Sequence, residues 1–88
     1  MVLPGEPVAL SPDQVLELNM KLSKMRHDIN NSLCVMVTAM ELMRTKPESV
    51  TRMLASLADQ PGKIDQSVKL FSKEFEQTFG ITRAGGPV

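Results

Sequence analysis

Eighty-eight residues suffice for one small domain, and aromatic content of 3% with no Trp or Tyr but seven Met favours packed helices over a β-sandwich. Ten basic and ten acidic residues leave no net charge, which argues against a nucleic-acid binder, since that needs a dense basic patch. The single Cys34 cannot form an intramolecular disulfide, as expected of a reducing, cytoplasmic setting.

The first ten residues, MVLPGEPVAL, lack the basic start and apolar core of a signal peptide and read as a flexible lead-in. A helix begins at SPDQ (11–14): Ser11 caps, Pro12 suits the first helical position, and Gln14 has capping-box spacing. Val15, Leu18, Leu22, Met25, Ile29, Met36, Ala39 and Met43 then recur at steps of three and four, with Ser32 as the one interruption. This is a long helix with a heptad seam running to about Arg44. Its longest nearly apolar run, LCVMVTAM (33–40), is far too short to span a bilayer, so no membrane partner is expected.

RTKPES (44–49) is a turn and a second helix start, with Thr45 and Glu48 at capping-box spacing. The second apolar series is Val50, Leu54, Leu57, Ile64, Val68, Phe71 and Phe75, crossed by Pro61-Gly62. Proline and glycine together normally stop a helix. The heptad phase nevertheless runs through them without a slip, which predicts a kinked but aligned helix over about 48–79, capped by Gly80. Two separately packed helices are the alternative. ITRAGGPV (81–88) reads as a loose tail.

The expected fold is therefore all-α: a lead-in (1–10), a long antiparallel helical hairpin (11–80) and a tail (81–88). One apolar stripe per helix cannot enclose a core, so two hairpins are expected to pair into a homodimeric four-helix bundle.

With Val15 at heptad position a, the lone His27 falls at f, facing solvent. Asp28 follows at g, Lys24 lies three residues back and Asn31 four residues on. A neutral imidazole nitrogen is a competent nucleophile towards a phosphoryl group, and a carboxylate accepting the other ring N–H fixes the tautomer. Asp28 is the candidate for that task, Asn31 for orienting a hydrolytic water, and Lys24 and Arg26 for neutralising phosphate. An ordinary surface histidine is the competing reading. One His without a second ligand at metal spacing implies no metal site, and no cofactor is indicated.

LSKMRHDINNSLCVMVTAMELM (22–43) resembles the H-box of the dimerisation and histidine-phosphotransfer domain of two-component sensor histidine kinases. Leu22, Met25, His27, Asp28, Ile29, Leu33, Glu41 and Leu42 match its pattern, in a His-Asp-aliphatic-Asn-Asn form. The likeness covers roughly 15–79, with the specific motif confined to the first helix. It implies His27 as phosphoacceptor, Asp28 as assisting acid and Asn31 at the position used for phosphatase activity. It implies as partners a response-regulator receiver domain or a histidine kinase, meeting the surface beyond the His. Lys24, Asn30, Cys34 and Val37 are the candidate partner contacts. Ser32 stands where many members have Pro, and Pro61-Gly62 is atypical of the second helix.

No Gly-rich nucleotide loop follows, so a self-sufficient kinase is not expected. The expectation is a stand-alone phosphotransfer hairpin, a relative without the chemistry, or a segment of a longer kinase, with the Met1 start favouring a short natural protein. A dimeric scaffold or inhibitor that binds a receiver or kinase without carrying phosphate is the alternative function.

Overall fold

The structure, a computed structural model, describes residues 2–81; the expected tail lies almost wholly outside them. Residues 3–11 are non-helical and mostly exposed. Helix α1 spans Pro12–Thr45 and helix α2 spans Val50–Phe79, the two packing against each other as a hairpin. There is no strand within these two helices or the turn between them.

Each terminus is set by local chemistry. The Ser11 hydroxyl accepts from the Gln14 backbone N–H at 3.1 Å, and Gln14 Oε1 accepts from the Ser11 N–H at 2.8 Å, which completes the capping box. Gly80 closes α2 in the left-handed region at φ 67°, where a Cβ is disfavoured. The Ile81 N–H then reaches back to the Glu76 carbonyl at 2.8 Å.

The turn differs from the sequence expectation. Thr45 is the last residue of α1 and its hydroxyl donates to the Glu41 carbonyl at 2.9 Å, so Thr45 and Glu48 form no capping box. A single 3-10 turn, Pro47–Ser49, leads into α2 instead. Ser49 is buried, with its hydroxyl 3.1 Å from the Leu42 carbonyl and 2.7 Å from the Lys46 carbonyl. One shared proton thereby ties the turn to the end of α1, a local hydroxyl-to-carbonyl bond of the kind that competes with helix propagation.

α2 is continuous through Pro61. Proline removes the donor to the carbonyl four residues back. The neighbouring Gln60 is 3% exposed and its side-chain amide donates to the Ser56 carbonyl at 2.9 Å. A side chain thus adds a donor within the turn that proline weakens.

The d positions of the α1 seam, Leu18, Met25, Ser32 and Ala39, lie along the inter-helix contact, joined by the g series rather than by the expected a series, of which Val15 is 52% exposed. Ser32, the interruption in the apolar series, is among its buried residues. α2 is different. The residues it turns towards α1 include Ser49, Met53, Ser56, Gln60 and Ser67. Those positions lie about 80° around the helix from the centre of the Val50–Phe75 apolar stripe, of which Phe71 still lines the groove opposite Met25. Leu54, Val68 and Phe75 remain exposed, at 54%, 42% and 40%.

Among the described residues only Ala39 is a fully buried apolar side chain. The hairpin measures 58 × 31 × 12 Å, with a radius of gyration of 18.1 Å against about 12 Å for a compact domain of this length. It is one layer of helices with two open faces.

Two substitutions test these local determinants in opposite directions. Ser11→Ala is expected to cost about 1 kcal/mol, the usual value of a lost N-cap. Pro61→Ala restores a helical N–H at an exposed position and is expected to stabilise by up to about 3 kcal/mol. Urea midpoints measure both; a lower midpoint for Pro61→Ala would mean that packing requires the proline.

Candidate functional site

α1 carries His27 in its middle, away from frayed ends, and presents it to solvent with 82% of its side chain exposed. The heptad phase explains this: position f lies well away from the d and g positions that pack on α2. Asp28, one residue on, turns towards the inter-helix groove and is half-buried, at 37%.

The Asp28 carboxylate faces two neighbours. Oδ2 accepts from Lys24 Nζ at 2.7 Å, an i,i+4 ion pair, while Oδ1 lies 3.6 Å from His27 Nδ1. The second distance exceeds a hydrogen bond. Lys24 is therefore the principal partner of Asp28, and His27 Nδ1 is the ring nitrogen on the carboxylate side.

The hydrogen bond from Lys24 is the main reason the Asp28 carboxyl is held below its ordinary value of 3.8; the Lys24 charge and His27 also lower it, while desolvation opposes them. A folded value below the unfolded one makes the pairing's contribution to stability fully present above about pH 3.8. That contribution is lost as pH falls through the lower folded value.

Asn31 is exposed and lines the groove that also holds Lys24, Asp28 and Ser32 from α1. Lys63, Gln66, Ser67 and Leu70 complete this groove from α2. These α2 residues were absent from the sequence reading of the site. A hairpin that turns at Lys46–Pro47 brings them opposite Asp28, so the pairing arithmetic was available once the turn was located.

Asn30, Cys34 and Val37 are all exposed on α1. Cys34 borders a second groove near the turn with Val35, Ala39 and Met53. Val37, at 62% exposure, stands with Leu33 and Met40 in a contiguous apolar patch about two to four turns beyond His27. Arg26, exposed, lies beside His27 in sequence on α1.

Among the described residues no three His, Cys, Asp or Glu side chains are grouped so as to hold a metal ion, and no helix is long and apolar enough to cross a membrane.

No protein-family model matches the chain, and searches of curated proteins and of solved structures return no similar chain.

Lys24→Met is expected to move the Asp28 carboxyl titration upward, towards 3.8, when followed by carbon-13 NMR. An unmoved midpoint would show that Lys24 does not control this carboxylate.

Proposed function

We propose that this chain is a dimeric histidine-phosphotransfer module of a two-component relay, accepting a phosphoryl group at His27 and passing it to a receiver-domain aspartate. The observation that carries the reading is the combination of an 82% exposed imidazole with an acidic neighbour on its Nδ1 side. The resemblance of residues 22–43 to a phosphoacceptor box supports the same residue.

The chemistry follows from the ring's two nitrogens. A carboxylate that accepts from Nδ1–H favours the tautomer protonated there, leaving the Nε2 lone pair as the nucleophile, and Asp28, 3.6 Å away, takes that role when it closes on the ring. Exposure lets a bulky phosphorylated partner approach, since in-line displacement needs the attacking nitrogen within about 3–3.5 Å of phosphorus. Asn31, one turn on at the groove edge, is the group assigned to orient a water for the reverse, hydrolytic reaction. The exposed Leu33–Val37–Met40 patch, with Asn30 and Cys34 beside it, is assigned to docking the partner.

Dimerisation belongs to the proposal because it supplies the missing core. A second hairpin laid on the stripe of Leu54, Val68 and Phe75 removes exposed apolar surface that α1 of the same chain leaves uncovered. His27 lies off that stripe and stays open in such a bundle.

The competing reading, a scaffold that binds a receiver or kinase without phosphate, draws on the same apolar patch. The two separate on one experiment. Incubation with a phosphorylated receiver domain or an ATP-charged kinase is expected to give an acid-labile label that His27→Gln abolishes. Binding without label identifies the scaffold, and label that survives the substitution rejects His27 as the phosphoacceptor.

Leu54→Glu with Val68→Glu is expected to convert a dimer at micromolar concentration into a monomer, read by light scattering. A wild-type monomer under those conditions would remove the dimer from the proposal.

A further inference from the structure

One carboxylate serves two neighbours at this site, and only one of them is within hydrogen-bond distance. Asp28 Oδ2 takes the Lys24 ammonium at 2.7 Å, whereas Oδ1 stops 3.6 Å from His27 Nδ1. The other charged side chains facing the same grooves are Lys21 on α1 and Lys63, Lys73 and Glu74 on α2. The ion pair that Asp28 makes in the groove is nevertheless with Lys24. A carboxylate that serves as the orienting acid for an imidazole is here engaged by a different cation.

Resting on the phosphotransfer reading, we propose that Lys24 is a positioning residue that exchanges the Asp28 carboxylate for the phosphoryl group as transfer to His27 proceeds. Lys24 is 71% exposed, lies one helical turn from His27, and carries its ammonium on a flexible four-carbon stem. A phosphoryl group bearing close to two negative charges outcompetes a single carboxylate for that ammonium. Asp28, once released, needs to close its gap to Nδ1 only from 3.6 Å to about 2.8 Å.

The step balances without an added reactant. The Nε2 lone pair attacks phosphorus of the partner's acyl phosphate. The N–P bond forms as the P–O bond breaks, and that electron pair leaves on the partner's carboxylate. The Nδ1 proton stays on the ring, now an imidazolium, and is donated in a hydrogen bond to the freed Asp28. Lys24 meets the charge on the phosphoryl oxygens. The resting pair thus keeps the imidazole without its carboxylate until a phosphoryl group arrives to draw Lys24 away.

The test uses the full chain and potassium phosphoramidate, which transfers its phosphoryl group to imidazole with ammonia leaving. Nitrogen-15 NMR of unphosphorylated His27 reads the tautomer, and acid-labile label reads the rate. Lys24→Met is expected to raise the Nδ1–H tautomer fraction, because Asp28 is freed, and to slow labelling roughly three- to tenfold. Lys24→Arg is expected to restore the rate. Wild-type labelling in Lys24→Met overturns the role of Lys24. Slowed labelling with an unchanged tautomer also overturns the exchange, since Lys24 would then act only as a nearby charge. Absence of label on the wild-type protein itself overturns the phosphotransfer reading, and the exchange falls with it.

Discussion

Two helices in one layer cannot bury an apolar stripe on each, and the rest of this structure follows from that constraint. The fully buried side chains of the hairpin interface are small or polar, Ser32, Ala39, Ser49 and Gln60, while larger ones along it such as Leu18, Met25 and Met53 are only half-buried. Half-burial of those larger side chains supplies only part of the hydrophobic free energy that must offset ordering some seventy residues. The larger apolar side chains of α2, Leu54, Val68 and Phe75, lie off that interface. Their placement makes sense if the hairpin is half of an assembly, as the proposed four-helix dimer requires.

The same partition places the chemistry. A helix in a four-helix bundle has two occupied flanks, one against its hairpin partner and one against the second hairpin, and only the remaining arc meets solvent. In the proposed dimer His27 falls on that arc. Asp28, one residue on and rotated by about 100°, falls towards the groove instead, where Lys24 meets it at 2.7 Å. Adjacent positions on one helix therefore differ sharply: one side chain is open to a partner, and the next is engaged by a neighbouring charge. The proposed relay uses both, the first as nucleophile and the second as an acid held in reserve.

Proline in α2 shows how a local cost is contained. Pro61 removes one backbone donor, yet the helix continues, with the buried Gln60 amide bonded to the Ser56 carbonyl beside it. The uninterrupted heptad phase on both sides was the sign of this in the sequence. A broken helix would have had no reason to keep its register across the break.

Much of this was legible beforehand. SPDQ specified its capping box and Gly80 its left-handed cap through interactions within one turn, which sequence encodes directly. The 3.6-residue period placed His27 outward for the same reason. The Thr45–Glu48 spacing misled, because Ser49 found two carbonyls across the turn and a local motif lost to them. Tertiary structure alone decided which face of α2 meets α1, since periodicity gives the position of a stripe and says nothing of what covers it. It alone decided that Asp28 pairs with Lys24 more closely than with His27, because that choice rests on a difference between 2.7 and 3.6 Å, finer than any spacing along the chain can express.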